Sequence, residues 1–77
     1  MTLDPDELRS REFRTALRGY DRRAVDELLA HIAADVEAGR PVSGDDIRNA
    51  RFELHLRGYN PDDVDRVLAD LVQELDN

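Results

Sequence analysis

The chain contains one motif twice. The tetrapeptide LRGY occupies positions 17–20 and returns at 56–59, 39 residues later. Sliding the sequence against itself by that offset gives eleven identical pairs between 3–38 and 42–77. Two copies are too few for a solenoid, which needs about three repeats to bury a continuous core. We therefore expect the two repeats to pack against each other as a pseudo-dimer within one chain, joined by a linker at 39–43.

The second half of each repeat predicts a long helix. Its apolar residues follow the 3, 1, 3, 1, 3 spacing of one helical face. They are Val25, Leu28, Leu29, Ile32, Ala33 and Val36 in the first repeat, and Val64, Val67, Leu68, Leu71, Val72 and Leu75 in the second. Asp21 and Asn60 are suitable N-caps, and Pro61 suits the first helical position. Gly39 is typical of a helix end.

The first half of each repeat predicts a shorter helix. Asp4 with Pro5, and Ser43 with Asp46, resemble helix starts. The apolar positions are sparser and run towards the tetrapeptide. They are Leu8, Phe13, Ala16 and Leu17 in one copy, and Ile47, Ala50, Phe52, Leu54 and Leu56 in the other. The sequence therefore predicts an all-α fold, in which two helix-turn-helix repeats pack as a small four-helix arrangement.

LRGY would then form the turn between the two helices of each repeat. Glycine at 19 and 58 would supply a positive φ angle, which a residue without Cβ adopts easily. Tyr20 and Tyr59 would pack against the first turn of the following helix, as in a hydrophobic staple. The leucine and arginine leave two interpretations. Either they close the small core and cap helix carbonyls, or they face outward, with leucine entering an apolar phase and the guanidinium binding phosphate.

Charge and size limit the classes of partner that the chain can bind. The net charge of −7 argues against broad binding to nucleic acid, which needs a positive field, and the acidic residues after each turn would repel DNA phosphates. The basic residues gather in the first repeat, where 9–23 holds six arginines against two acids. A chain of 77 residues without cysteine has a thin stability margin, so we expect a homo-oligomer, a homodimer above all.

Enzymatic motifs are not apparent. His31 and His55 occupy non-equivalent positions and lack ligand partners at metal-binding spacing. Five carboxylates fall in first helical turns, where they favour the helix dipole: Asp45, Asp46, Asp62, Asp63 and Asp65. The sequence contains no glycine-rich phosphate loop. We expect no enzyme, no cofactor and no metal. The longest apolar run is three residues and the start is acidic, so we expect a cytoplasmic protein without a membrane span.

A family resemblance adds to these inferences. The span from Leu3 to Glu37, LDPDELRSREFRTALRGYDRRAVDELLAHIAADVE, resembles the amino-terminal domain of the DivIVA family, bacterial cell-division and polar-growth scaffolds. The family pattern is a phenylalanine, then RGYD, then a valine–aspartate pair and a leucine-rich helix. The matching residues are Phe13, Arg18, Gly19, Tyr20, Asp21, Val25, Asp26 and Leu29. The second copy, from Val42 to Leu75, matches with Asn60 in place of the aspartate.

The resemblance implies a domain that binds the inner face of curved membrane through an exposed apolar residue followed by arginine. Carried over, these contacts are Leu17 with Arg18, and Leu56 with Arg57. The basic residues Arg14, Arg22 and Arg23 lie close by in the sequence. A second repeat stands where the family has a polymerising coiled coil, which favours a protein-interaction module that docks onto a larger scaffold of this kind. The alternative is a peripheral membrane binder.

Overall fold

One strand separates the two helices of each repeat. In a computed structural model of the protein, residues 4–76 are described, and they form four helices and two strands. The elements are α1 (Pro5–Arg9), β1 (Thr15–Tyr20), α2 (Arg22–Glu37), α3 (Gly44–Arg48), β2 (Leu54–Tyr59) and α4 (Pro61–Asp76). Each element of the second repeat begins and ends 39 residues after its counterpart in the first. The sequence repeat is therefore also a structural repeat.

The prediction of an all-α fold is wrong. Each short helix has only five residues, and the segment expected to continue it into LRGY is extended. Main-chain hydrogen bonds to the other repeat hold this extended segment. The Asp21 N–H donates to the Glu53 carbonyl at 2.9 Å, and the Asn60 N–H donates to the Arg14 carbonyl at 2.7 Å. The hydrogen-bond acceptors lie in the other repeat, so the spacing of apolar residues within one repeat could not indicate them. The predicted four-helix arrangement is also wrong, because two strands join the helices.

The two strands pair irregularly around an approximate two-fold axis. Five pairs run in opposite directions along β1 and β2. They are Thr15 with Tyr59, Ala16 with Gly58, Arg18 with Leu56, Gly19 with His55, and Tyr20 with Leu54. Tyr20 is paired in addition with Tyr59, the partner expected if the strands ran in the same direction, and register shifts interrupt the ladder. This mixed pairing indicates that the two strand segments cross closely instead of lying as a flat ribbon.

The helix boundaries follow the predicted caps. The Asp21 and Asn60 side chains accept hydrogen bonds from main-chain N–H groups in the first turns of α2 and α4, at 3.0 Å and 2.9 Å. The start of α4 at Pro61 is confirmed. After α2, Gly39 has a φ of +68°, and the Arg40 N–H donates to the Asp35 carbonyl at 2.8 Å. This is the Schellman arrangement, in which a glycine in the left-handed region ends the helix.

One apolar core is shared by the two repeats. Each short helix packs on the long helix of its own repeat, α1 on α2 and α3 on α4, and the strands join the two halves. The buried residues are Leu8, Val25, Leu29, Ile32, Ala33, Ile47, Val64, Leu68 and Leu71. Most belong to the helical faces that the 3, 1, 3, 1, 3 spacing predicts. The molecule measures 36 × 20 × 19 Å, so the core is narrow.

A candidate surface-binding site on the paired strands

The strand pair brings the two leucine–arginine dipeptides together. Arg18 lies opposite Leu56 on the neighbouring strand, and Leu17 and Arg57 adjoin them. The leucines are 76% and 83% exposed, and both arginines are exposed. We call these four residues the leucine–arginine patch. The interpretation in which the leucines close the core is wrong, and the outward-facing interpretation describes their position.

Arg57 adopts an unusual backbone conformation within this patch. Its φ is +60°, in the left-handed region that costs a non-glycine residue about 1–2 kcal/mol. Among residues 4–76, Arg57 is the one non-glycine residue with a positive φ, so its counterpart Arg18 lacks the feature. The two repeats therefore present their arginines differently, although both arginines lie in the same LRGY tetrapeptide.

Gly19 and Gly58 allow the main chains of the two repeats to touch. A Cβ on Gly19 would lie closer than 3.0 Å to the Gly58 carbonyl carbon, and a Cβ on Gly58 would lie as close to the Gly19 carbonyl carbon. The predicted reason for glycine, a positive φ in a turn, is wrong: within residues 4–76 positive φ values occur at Gly39 and Arg57. Glycine is needed at both positions because the two backbones leave no room for a side chain.

The LRGY tyrosines reach across to the opposite repeat. The Tyr20 ring contacts the Phe52 ring at 5.1 Å between centroids, and its hydroxyl donates to the Asp65 carboxylate at 2.8 Å. These contacts were not predicted, since the staple interpretation placed each tyrosine on its own repeat. Burial, followed by the hydrogen bond to Asp65, raises the pKa of the Tyr20 phenol, so the phenol keeps the proton that it donates.

The same contacts recur in reciprocal form. The Tyr59 ring contacts the Phe13 ring at 5.0 Å, and its hydroxyl donates to the Asp26 carboxylate at 2.8 Å. Burial, followed by the hydrogen bond to Asp26, raises the pKa of the Tyr59 phenol. Each repeat thus supplies a tyrosine to the other and receives one. The repeated valine–aspartate pair singled out Asp26 and Asp65 in the sequence. It did not indicate that the tyrosine bound to each aspartate belongs to the other repeat.

The nearby basic candidates divide into two groups. Arg14 is engaged by Asp63, which accepts hydrogen bonds from Nε at 2.9 Å and Nη2 at 2.7 Å. Arg22 donates to the Thr15 hydroxyl at 3.1 Å and lies over the Tyr59 ring, 5.7 Å from its centroid. Both guanidinium groups therefore help to hold the fold. Arg23 is exposed at the start of α2 and joins Arg18 and Arg57 as an accessible basic residue.

The Arg14–Asp63 pair joins the two repeats electrostatically. Asp63 also accepts a hydrogen bond from the Arg14 main-chain N–H, at 3.1 Å. The side-chain and main-chain hydrogen bonds from Arg14 lower the pKa of Asp63 from 3.8 to about 2. Sequence reasoning missed this pair because the positions equivalent to Arg14 and Asp63 are Glu53 and Ala24. The interaction therefore occurs once, and the internal repeat could not indicate it.

The lowered pKa predicts a contribution to acid stability. A carboxylate whose pKa is lower in the folded state stabilises the fold above its unfolded pKa, and the contribution is lost as the pH falls through the folded pKa. The loss should therefore extend from about pH 4 to about pH 2. We expect Asp63→Asn to melt at a lower temperature than wild type at neutral pH, with the difference shrinking over that interval. Thermal unfolding followed by circular dichroism at several pH values measures it.

Asp45→Asn is the matched control for this prediction. Asp45 pairs with Arg48 three residues away on the same short helix and is exposed, so it joins no separate parts of the fold. Its melting curve should follow that of wild type through the same acid range. A constant difference between Asp63→Asn and wild type from pH 7 to pH 2 would contradict the assignment.

The described residues add two further findings. Among residues 4–76, no group of three or more histidine, cysteine, aspartate or glutamate side chains is arranged to hold a metal ion. In the same range, no helix has both the length and the apolar character to cross a bilayer. His31 lies near Asp35 and His55 near Glu53, with nitrogen–oxygen distances of 3.5 Å and 3.4 Å, and both histidines are exposed.

Comparisons with known proteins return no relatives. No family model matches the chain, and no curated protein or solved structure is detectably similar to it. The resemblance to the DivIVA amino-terminal domain therefore stays a prediction that rests on the residues of the two repeats.

Proposed function

We propose that the protein is a non-enzymatic module that attaches to an anionic lipid surface through the leucine–arginine patch. The observation that carries the proposal is the position of both LRGY segments on one strand pair, with Leu17 and Leu56 exposed beside Arg18 and Arg57. Membrane contact through a single LRGY segment would be weak. Two such segments on paired strands of one chain can contact the membrane together, which raises the overall affinity.

The energies suit a reversible attachment. Burying one leucine side chain in an apolar phase gains about 1.5–3 kcal/mol, and one basic residue near an anionic leaflet gains about 1 kcal/mol. Arginine also donates forked hydrogen bonds that match a phosphate group. The net charge of −7 opposes this attraction at long range, but salt screens it beyond about 8 Å at physiological ionic strength. We expect binding that depends on both the leucines and the arginines.

Vesicle co-sedimentation tests the proposal. Wild-type protein should pellet with vesicles that contain phosphatidylglycerol, and more weakly with phosphatidylcholine alone. Changing Leu17 and Leu56 together to serine should lower the partition coefficient at least about tenfold, because two apolar insertions are lost. Changing Arg18 and Arg57 to glutamine should remove most of the preference for the anionic vesicles.

Leu54→Ser is the matched control for vesicle binding. Leu54 lies on β2 and is 51% exposed, but it is opposite Tyr20 and outside the leucine–arginine patch. Its partition coefficient should stay close to that of wild type. Wild-type protein that remains in the supernatant with anionic vesicles, or a double serine variant that pellets as wild type does, would contradict the proposal.

A second candidate function is docking onto a protein scaffold in cell division or polar growth. The acidic balance of the chain favours it, since a net charge of −7 suits a basic protein partner better than an anionic membrane. In this alternative the leucines enter an apolar groove of the scaffold. Two results together would favour docking. Wild-type protein would fail to bind vesicles, and a purified scaffold would capture wild-type protein but not the Leu17→Ser, Leu56→Ser variant. The predicted homo-oligomer stays a prediction.

A further inference from the structure

A groove formed mainly by the second repeat shares no residue with the leucine–arginine patch. Its volume is about 620 Å³, within the range of pockets that hold small molecules. The floor is mostly apolar and follows one face of α4, where Leu68, Ala69 and Val72 lie at helical spacing. Ile47 and Phe52 complete it from α3 and the connection to β2. A ligand with an apolar body would therefore bury surface against two turns of helix and an aromatic ring.

The equivalent cleft of the first repeat shows why this groove is open. That cleft has a volume of about 350 Å³ and is lined by residues that correspond to those of the groove. Arg11 lines the smaller cleft, and its Nε is buried. The corresponding residue in the groove is Ala50, which has no side chain beyond Cβ. Arg11 thus narrows the cleft of the first repeat, whereas Ala50 leaves the groove of the second repeat wider.

The neighbouring position changes the charge of the groove. The first repeat has Glu12 where the second has Arg51, which lines the groove. Arg51 is exposed, and its Nη1 donates to the main-chain carbonyls of Arg48 and Ala50 at 3.2 Å and 3.0 Å. The acid that lines the groove, Asp65, already accepts the hydrogen bond from the Tyr20 hydroxyl. A second arginine, Arg48, also lines the groove and pairs with Asp45 at 2.9 Å. The groove therefore combines an apolar floor with the guanidinium group of Arg51.

We propose that this groove binds a small amphipathic carboxylate, with its apolar chain on the floor formed by Leu68, Ala69 and Val72 and its carboxylate at Arg51. Guanidinium groups pair with carboxylates through two parallel hydrogen bonds, whereas a neutral or cationic head gains no such pairing. The site is separate from the leucine–arginine patch, so it does not depend on the proposed membrane attachment.

A series of three ligands with the same chain and different heads tests the proposal. Octanoate, 1-octanol and octylammonium are titrated into labelled protein, and the amide shifts of the groove residues give the dissociation constants. Octanoate should bind most tightly and octylammonium least tightly. The net charge of −7 favours the cation in any non-specific binding, so the expected order is opposite to that of general electrostatics. Equal binding of octanoate and 1-octanol, or tighter binding of octylammonium, would overturn the proposal.

Two variants locate the binding. Arg51→Gln should raise the dissociation constant of octanoate about threefold to fivefold, as expected for an exposed ion pair, and leave that of 1-octanol unchanged. Ala50→Arg introduces the arginine of the first repeat and should occupy the groove. The dissociation constants of octanoate and 1-octanol should both rise about tenfold or more. Arg23→Gln is the control for the loss of one exposed arginine, and Leu17→Ser with Leu56→Ser is the control for binding at the patch. Both controls should bind octanoate as wild type does, and an unchanged octanoate affinity in Ala50→Arg would contradict the assignment.

Discussion

Replacing either Gly19 or Gly58 with alanine is expected to destabilise the protein by at least about 3 kcal/mol, at the upper end of overpacking effects. The added Cβ would meet main-chain atoms of the opposite strand closer than 3.0 Å, and main-chain atoms cannot move aside as a flexible side chain can. For a chain of this size, such a loss lowers the melting temperature by more than about 12 °C. Thermal unfolding followed by circular dichroism measures it.

Gly39→Ala is the control that separates this clash from the general cost of replacing glycine. Gly39 has a φ of +68°, but beyond its two chain neighbours no atom lies within 4 Å of the position that its Cβ would take. The change should therefore cost only the backbone strain of about 1–2 kcal/mol. If Gly19→Ala or Gly58→Ala melts no lower than Gly39→Ala, the close approach of the two main chains does not occur as described.

Separating the two repeats is the second change with a large expected effect. Fragments 1–40 and 41–77, each alone at micromolar concentration, should lose more than about half of their helical signal, since isolated helices of this length are marginal in water. Each fragment would lack the partner for its strand and for its tyrosine, because Tyr20 contacts Phe52 and Tyr59 contacts Phe13. Mixing the fragments in equal amounts should restore the signal.

The intact chain supplies the control for the fragment experiment. A protein folded first and then cut within 39–43 should keep its circular dichroism spectrum, because no strand or helix crosses that segment. Light scattering gives the mass of each separate fragment. A fragment that is monomeric and still unfolds cooperatively would contradict the interdependence of the two repeats.

The groove experiment and the vesicle experiment concern different parts of the molecule. The leucine–arginine patch lies on β1 and β2, whereas the groove is lined by α3, α4, the segment between α3 and β2, and Tyr20 at the end of β1, so the two share no residue. Variants of the patch therefore serve as controls for the groove. A patch variant that loses vesicle binding but keeps octanoate binding, together with a groove variant that does the opposite, would establish the two sites separately.

Local signals in the sequence predicted the two long helices well. The apolar spacing indicated α2 and α4, and Asp21, Asn60 and Pro61 marked where these helices begin. Gly39 marked the end of α2. These features depend on side chains one to four residues apart, and such contacts are determined within a single helix. The exposed position of Leu17 and Leu56 was one of two interpretations that the sequence left open.

The strands could not be predicted in the same way. LRGY lies between two helices, and its sequence suggested a turn, because a glycine beside a helix N-cap is usually explained by its φ angle. The hydrogen bonds that make it a strand come from the other repeat. Residues 52–57, FELHLR, do alternate apolar and polar side chains, a signal for a strand in the second repeat, but the equivalent residues 13–18, FRTALR, do not. Pairing between distant segments depends on how the two halves meet, which spacing within each half does not record.

By itself the sequence determined that this protein contains a duplication, where its long helices begin, where α2 ends, and most of the side chains that form the core. Only the tertiary structure decided that the two LRGY segments cross each other, that each tyrosine contacts the opposite repeat, and that Ala50 leaves a wider groove than the cleft beside Arg11. The physical reason is that helices are stabilised by neighbours in the chain, whereas the strand pair and both clefts are formed by residues that meet only when the chain is folded.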